Sequence, residues 1–262
     1  MNRLERVLLP LFVAALIIAV WSVWASGGSG GATDFPTPLE VWRGYGHLLR
    51  PAHGEHGPLI LKHIVSSVFR TSFGFLAAVG LGIPFGLYLG WSARAHASLD
   101  WLVQMLRPIS PIAWIPIAIM IFRGDDLRSI FLIFVAAFLP IVISTSAAVH
   151  SVPSMYLRAA SNFGLSDFQI LQRVVFPASL PQIVLALRVA AGISWIVIVA
   201  AEMVAVQDGL GWLITDARYQ GARTDLVVGT MIVIGLLGWG IDSLLRRLER
   251  HPRVSWGYPR NG

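Results

Sequence analysis

The sequence of 262 residues contains no cysteine and only one lysine, Lys62. Without cysteine, the chain has no disulfide scaffold, no thiolate metal site and no cysteine nucleophile. A phosphate-binding loop of the Walker A type requires Gly-Lys followed by Ser or Thr. The single lysine instead follows Leu61 and precedes His63. ATP hydrolysis by that kind of site is therefore excluded for this chain alone.

The sequence also contains little charge. Asp, Glu, Lys and Arg make up 13% of the residues, which is about half the share found in soluble domains. Hydrophobic residues reach 55%, and the mean hydropathy is +0.68. These values exclude a disordered chain and an ordinary soluble enzyme and indicate an integral membrane protein. The net charge of +6 comes almost wholly from arginine. We interpret it as anchoring at the inner membrane surface rather than nucleic-acid binding.

Six apolar stretches are long enough to cross a bilayer core of about 30 Å as helices, which requires about 20 residues each. They are residues 7–25, 64–90, 101–122, 129–150, 182–205 and 226–245. The first stretch follows Arg3 and Arg6, as a signal peptide would, but its 19 residues exceed a signal core of about 7–15. We therefore predict an all-α membrane protein whose first helix is retained.

The distribution of arginine predicts the orientation of the chain. Arg246, Arg247 and Arg250 follow the last span directly, and positive charge accumulates on the cytoplasmic side of membrane proteins. An even number of spans places the two termini on the same side. Both termini are therefore expected to be cytoplasmic.

The connectors between spans are too short to hold a separate soluble domain, so the chain is read as one domain with three segments. Residues 1–62 comprise the first span and an outer loop, in which residues 39–49 are expected to form an interfacial helix. Residues 63–248 comprise a five-helix core. Residues 249–262 form a cytoplasmic tail.

The third stretch contains Pro108, Pro111 and Pro116 within nine residues. It cannot form a straight helix, because each proline removes a backbone hydrogen bond. Broken backbone at membrane depth is tolerated where it is buried in protein or lines a cavity. This stretch is therefore the predicted translocation path. Its candidate residues are Arg107, Ser110 and Trp114, together with Glu202 from the outer part of the fifth stretch.

Charged side chains within spans have more than one interpretation. Arg107 either contacts an anion in the path or reaches the inner membrane surface with its long side chain. Arg70, Arg188 and Asp242 are expected to anchor the chain or to pair internally rather than to contact a substrate. Small residues four apart in the second stretch predict close packing of helices within the bundle. They are Gly82, Gly86 and Gly90.

The connector 151–181 is the longest cytoplasmic segment and is predicted to form a helical hairpin. Its first helix is broken at Gly164, and Ser166 begins a capping box with a Gln three residues later. The second helix is expected to end at Pro177, and Pro181 is expected to begin the next helix. Its predicted apolar stripe comprises Phe168, Leu171 and Val175. The hairpin either lies on lipid headgroups or docks in a groove of a partner protein.

The same connector resembles the loop signature of ABC importer permeases, which reads Glu-Ala-Ala, three residues, Gly, nine residues, Ile-x-Leu-Pro. Here it reads Ala159-Ala160, Gly164 and Val174-Val-Phe-Pro177, with Arg158 in place of Glu and Phe176 in place of Leu. The resemblance implies that the hairpin couples the chain to a cytoplasmic ATPase. The residues that it assigns to this role are Arg158, Ala159, Ala160, Gly164, Leu165, Phe168, Leu171 and Pro177.

The resemblance extends over roughly residues 35–258, where the chain is similar to the nitrate, sulfonate, taurine and bicarbonate permease group. The segments that carry it are Arg107-Pro108, Pro111, Ala113-Trp114, Pro116, Ala201-Glu202-Met203, Gly209-Leu-Gly211 and Asp225-Leu-Val227. The chain departs from the group at Phe122-Arg123-Gly124-Asp125, where Phe-Gly-x-Gly is usual.

This resemblance implies a helical bundle of the type I ABC importer permease kind in a bacterial inner membrane. It also implies a permease homodimer that contacts membrane lipid, binds cytoplasmic ATPase subunits and is supplied by a periplasmic solute-binding protein. The implied cargo is a small oxyanion or an organic sulfonate.

Two other classes stay open on composition, namely a secondary transporter and a channel for a small anion, neither of which needs an ATPase. An intramembrane enzyme requires clustered catalytic groups, whereas the seven histidines show no His-x-x-x-His or Glu-x-x-His pattern. His53 and His56 are interpreted as part of a solvated loop. We therefore predict a pore-forming subunit with no enzymatic activity, metal site, cofactor or nucleic-acid partner.

Overall fold

The computed structural model describes residues 3–26, 35–49, 58–219 and 223–249, and within these ranges the chain is almost entirely helical. The helices are α1 (Arg3–Ser26), α2 (Pro38–Leu48), α3 (Leu59–Trp91), α4 (Ala93–Leu106), α5 (Ile115–Ile121), α6 (Asp125–His150), α7 (Ser154–Asn162), α8 (Asp167–Ile170), α9 (Phe176–Ala205), α10 (Leu210–Tyr219) and α11 (Thr224–Glu249). A 3₁₀ turn (Pro111–Trp114) precedes α5, and a π-helical turn (Leu171–Val175) joins α8 to α9. The predicted tail beyond Glu249 and the loop histidines His53 and His56 lie outside the described residues.

Five helical segments are long and apolar enough to cross a membrane, and a bent pair of helices meets the same criteria of length and hydropathy as a sixth, which we call the broken span. The five are Leu8–Ser26, Leu59–Trp91, Asp125–His150, Asp167–Ala205 and Thr224–Arg247. The sixth consists of Ala93–Leu106 and Pro111–Ile121, which meet at an angle of 91°. The all-α prediction is confirmed, and so is the prediction that the proline-rich stretch is not a straight helix.

Helix α6 packs along both α3 and α9, which also contact each other. The close approach of α3 to α6 depends on glycine. A Cβ added at Gly86 would lie 2.6 Å from Thr145 Cβ and 2.8 Å from the carbonyl oxygen of Val142, whereas one added at Gly80 would meet open space. Gly82 and Gly90 approach α6 in the same way. The prediction that this row of small residues packs within the bundle is confirmed.

The hairpin forms as predicted up to its second helix. Gly164 ends α7 with φ +76°, a conformation that favours glycine. Ser166 and Gln169 form the capping box, since each side chain accepts a hydrogen bond from the other residue's backbone N–H. The first half of the hairpin prediction is confirmed.

The prediction that Pro177 ends the second helix and that Pro181 begins the next one is wrong. Helical structure runs without a break from Asp167 to Ala205 and passes through both prolines. The π-helical turn widens the helix just before Pro177, with the N–H of Phe176 bonded to the carbonyl of Leu171. The proline ring is then accommodated where an α-helical turn would clash with it.

The two N-terminal helices lie at the edge of the bundle. No side chain in the membrane window Leu8–Ser26 of α1 is buried, and Trp21 Nε1 donates to the carbonyl of Pro36 at 3.0 Å. In α2, Val41 is buried while Trp42 is 74% exposed, so this short helix is amphipathic. Tyr45 donates its hydroxyl to the carbonyl of Gly229 in α11 at 3.0 Å, and burial raises the pKa of the phenol. The helix expected at 39–49 is confirmed, and its interfacial position stays a prediction.

Candidate translocation path and ion-pair cluster

A cavity of about 330 Å³ lies where the broken span bends against α6 and α9. The bend contributes Arg107 and Pro111, α6 contributes Pro140 and Ser144, and α9 contributes Ile193. The remaining lining residues, Ile109, Val135, Ala136, Leu139 and Ile143, are apolar. The cavity therefore combines mostly apolar walls with one cation and one hydroxyl.

Prolines create the irregular backbone on both walls of this cavity. Between α4 and the 3₁₀ turn, the regular helical bonding is replaced by short contacts, such as the N–H of Ile109 bonded to the carbonyl of Leu106 at 3.1 Å. In α6, Pro140 has no N–H to offer the carbonyl of Ala136 four residues earlier. The carbonyl of Ala136 therefore lacks the usual N–H donor four residues later in the helix, beside the cavity.

Arg107 is the charged group of the cavity. It is exposed, and no carboxylate among the described residues forms an ion pair with it. By contrast, Arg70, Arg128, Arg188 and Arg223 all pair with Asp or Glu. An arginine without a carboxylate partner beside an apolar cavity is positioned to attract an anion.

The other predicted path residues are placed differently. Ser110 is exposed on the bend, and its carbonyl accepts from the N–H of Ala113 at 2.9 Å. Trp114 is half-buried edge-to-face against Phe131, with ring centroids 6.4 Å apart. Neither side chain lines the cavity. Their roles in the path stay predictions.

Glu202 lies away from this cavity, near the far end of the bundle, by which we mean the end opposite the hairpin. It is fully buried and accepts hydrogen bonds from the Ser67 hydroxyl at 2.8 Å, the N–H of Gly211 at 3.0 Å and Arg70 Nη1 at 3.2 Å. The structure therefore provides internal partners for Glu202, while its predicted contact with cargo is untested.

Arg70 is the centre of this arrangement and is 2% exposed. Its Nε donates to Asp126 at 2.7 Å, its Nη1 to Glu202 and to the carbonyl of Asp208 at 3.2 Å, and its Nη2 to the Asp208 carboxylate. We call Arg70, Asp126, Glu202 and Asp208 the Arg70 cluster. It joins α3, the start of α6, the end of α9 and the loop that leads to α10.

Arg188 and Asp242 are expected from the sequence to anchor the chain or to pair internally, and the structure shows that they pair. Arg188 Nε donates to Asp242 at 2.6 Å and Nη1 to Glu249 at 3.2 Å, which ties α9 to α11. Arg246 pairs with the same Asp242. These charged side chains therefore form ion pairs with one another at the hairpin end of the bundle.

The Gly209-Leu-Gly211 segment forms a cradle around the Glu202 carboxylate. The N–H groups of Gly209, Leu210 and Gly211 donate to His63 Nδ1, Ser67 Oγ and Glu202, respectively, at 2.9–3.0 Å. Gly209 has φ +100°, and a Cβ on it would overlap the Glu202 carboxylate. Side chains from α3 and α9 thus cap the N-terminus of α10. They accept hydrogen bonds from N–H groups that have no partner within the helix.

No local motif predicts this cradle, although the sequence contains all of its parts. A carboxylate at the end of an apolar span, followed seven and nine residues later by glycines, is consistent with a helix N-terminus closing back on that carboxylate. The His63 and Ser67 contributions come from more than 140 residues away, and no local pattern could have identified them.

The predicted coupling residues lie in the hairpin and at the start of α9, and they differ in how deeply they are buried. Ala160 is buried in the hairpin core with Ile170 and Val175, while Leu165 and Leu171 pack against it. Arg158 is exposed and donates to Ser154 at 3.1 Å, and Ala159 and Pro177 are exposed as well.

The predicted stripe of Phe168, Leu171 and Val175 is split. Phe168 is 71% exposed, Leu171 is half-buried and Val175 is buried. The π-helical turn changes the angle per residue after Leu171, which rotates Val175 away from Phe168. The outer surface of the hairpin instead presents Phe163 and Phe168.

Comparisons with known proteins agree with this architecture. Residues 82–254 match the family described as binding-protein-dependent transport system inner membrane component. The chain is 35% identical over 255 residues to a bicarbonate transport system permease protein of Synechococcus elongatus, covering 95% of this chain and 90% of that one. It is 31% identical over 246 residues to the taurine transport system permease protein of Escherichia coli, covering 94% of this chain and 89% of that one.

A similar fold is found in an inward-facing structure of the MetNI methionine ABC transporter. The match has a TM-score of 0.65 at 20% identity and covers 73% of this chain and 95% of that chain. The helical arrangement is therefore one that ABC importer permeases adopt.

Proposed function

The chain belongs to the family of binding-protein-dependent transport system inner membrane components and is a membrane-spanning permease subunit of an ABC importer, and from this premise we propose its cargo, partners and orientation. It imports a small oxyanion or a sulfonate-bearing solute that an external binding protein delivers. It works as one of two identical copies, and separate ATPase subunits bind its hairpin from the cytoplasm. Both termini are cytoplasmic.

The observation that carries this proposal is the exposed bend of the broken span. Irregular backbone at membrane depth must be covered by protein or by water, because lipid offers no hydrogen bonds. In the single chain, Ile109 and Ser110 at the bend are exposed, and Met120 in α5 is 84% exposed. A second copy facing the first across a water-filled path would cover these residues.

The proposed cargo follows from Arg107 and from the relatives. Bicarbonate and taurine, which the relatives' names specify, both carry oxygen atoms that share negative charge. A guanidinium presents planar donors that match such groups and stays charged at any physiological pH. The apolar walls of the cavity would strengthen this attraction by lowering the local dielectric.

The proposed ATPase partner follows from the division of chemistry between chains. This chain has no Walker A loop, so ATP chemistry must come from another protein. Phe163 is 85% exposed and Phe168 is 71% exposed on the hairpin, and large aromatic side chains of this kind are typical anchors in partner grooves. Arg158 and Arg173 on the same element favour a cytoplasmic position.

Affinity purification from native membranes tests the proposed assembly. A tag on the C-terminus should recover an ATPase with a Walker A loop in equal stoichiometry, and the purified chain alone should hydrolyse no ATP. Mass spectrometry identifies the recovered proteins. A homo-oligomer without an ATPase would contradict the proposal and would favour a secondary transporter or a channel.

Replacing Arg107 with alanine tests the proposed anion path. A hydrogen bond to a charged group contributes about 1.5–3 kcal/mol, and about 1.4 kcal/mol corresponds to a tenfold change. We therefore expect uptake of labelled bicarbonate or taurine, whichever the wild type carries, to fall about tenfold or more. Recovery of the dimer and the ATPase should be unchanged.

The matched control for this variant is Arg94→Ala, because Arg94 is also exposed and lies on α4, the same helix that leads to the bend. This control should transport like the wild type. Unchanged kinetics in Arg107→Ala would instead indicate that the side chain only reaches the membrane surface.

A further inference from the structure

A single helical element connects the hairpin to the Arg70 cluster. Helical structure runs from Asp167, beside the capping box, to Ala205, which is three residues beyond Glu202. At 1.5 Å per residue, its 39 residues span about 60 Å. The hairpin and the buried Glu202 carboxylate therefore lie on one continuous helical element.

Arg70 connects that carboxylate to the broken span. One guanidinium donates to Glu202 at the end of α9 and to Asp126 in the first turn of α6. Only residues 122–124 separate α6 from α5, the second half of the broken span. The position of Asp126 therefore limits where the far end of the broken span can lie.

The contacts of Arg70 are unequal in burial. Glu202 is fully buried, Asp208 is 32% exposed, and Asp126 is 61% exposed. Breaking the contact with Glu202 would leave an uncompensated charge in the protein interior, which is costly. The contact with Asp126 can break at much lower cost, because water can hydrate the freed carboxylate.

We propose that the Arg70 cluster is the latch that passes movement of the hairpin to the far end of the translocation path, with Arg70–Asp126 as the contact that opens and closes. Glu202 and the Arg70 guanidinium, whose backbone belongs to α3, stay together as α9 moves. When Asp126 is engaged, α6 and the end of the broken span follow them. Arg70 and Asp126 are thus positioning residues for transport. This inference rests on the proposed function.

Direct packing offers two competing routes for the same movement, namely α6 on α9 and α6 on α3, the helix that carries Arg70. Leu132 and Ala136 of α6 pack with Val197 and Ala201 of α9 in one apolar cluster. A test must therefore remove the latch and leave this packing in place. Asp126→Asn does so, because Asp126 is mostly exposed and lies outside the apolar cluster.

The absence of cysteine allows single-cysteine reporters on this chain. Ser161→Cys places one on the exposed surface of α7, and Met120→Cys places one on α5. The complete transporter with its ATPase is reconstituted in lipid nanodiscs, which leave both membrane faces accessible, and labelled with a water-soluble maleimide, with and without ATP and vanadate. Mass spectrometry of this chain gives the labelling rate at each reporter.

With the cluster intact, ATP and vanadate should change the labelling rate several-fold at both reporters. In Asp126→Asn, the change at position 161 should persist and the change at position 120 should be lost. Uptake should fall while ATP hydrolysis continues. Asp126→Glu keeps the charge and should restore the response at position 120. Asp225→Asn removes a different ion pair, with Arg223, and should leave both responses intact.

Each outcome has one meaning. A change at position 120 that survives Asp126→Asn overturns the latch and assigns transmission to the direct packing of α6 on α9 and α3. A change at position 161 but not at position 120 in the otherwise wild-type chain overturns it as well. If neither reporter responds to ATP with the cluster intact, the proposed ATPase coupling itself is wrong.

Discussion

Replacing Arg70 with methionine is expected to abolish accumulation of the folded chain in the membrane. The guanidinium is 2% exposed and contacts the carboxylates of Asp126, Glu202 and Asp208. Removing one partner of a buried ion pair costs about 3–5 kcal/mol, because the other charge is left uncompensated. That cost is comparable with the total stability of about 5–15 kcal/mol of a typical protein. Fluorescence-detected size exclusion of a tagged chain measures the folded fraction.

Three further variants separate this expectation from a general effect of losing arginine. Arg223→Met removes an arginine that is 41% exposed and paired with Asp225, and it should cost no more than about 1 kcal/mol. Arg70→Lys keeps the charge without the planar fork and should recover only part of the folded protein. Adding Glu202→Gln to Arg70→Met should also recover part, because one buried charge is removed. Normal accumulation of Arg70→Met would contradict the description of the cluster as structurally essential.

The carboxylate partners of Arg70 could not be predicted from the sequence. Charges within apolar spans indicate anchoring or internal pairing, since isolated charges in a membrane are costly. The identity of the partners did not follow, because Asp126, Glu202 and Asp208 lie 56 to 138 residues from Arg70. Helical periodicity relates residues three and four apart, so contacts over these separations depend on how the helices pack.

Local signals were sufficient where the chemistry is local. The capping box at Ser166, the break at Gly164 and the disruption of helix by three prolines each depend on a few neighbouring residues, and the structure has all three. Pro177 is the informative exception. A proline inside a helical pattern usually ends or kinks the helix, but the π-helical turn before Pro177 keeps the helix continuous.

Replacing Gly164 with valine is expected to abolish transport while the chain still inserts and accumulates normally. Gly164 has φ +76°, and a β-branched residue adopts that conformation only with strain. A Cβ at this position would meet no other atom within 4 Å, so the whole cost comes from the backbone, about 1–2 kcal/mol or more. The hairpin can relieve this strain by changing the angle between α7 and α8, without disturbing the helices of the membrane bundle.

Gly164→Asn is the matched variant that isolates the backbone conformation. Asparagine is also larger than glycine but visits the left-handed region far more readily than valine. It should therefore retain ATPase recovery and uptake, whereas the valine variant should lose both. Gly192→Val removes a glycine that has open space and no positive φ, and it should transport normally. If Gly164→Val also transported normally, the angle between α7 and α8 would not matter for coupling, and movement of α9 would have to begin elsewhere than in the hairpin.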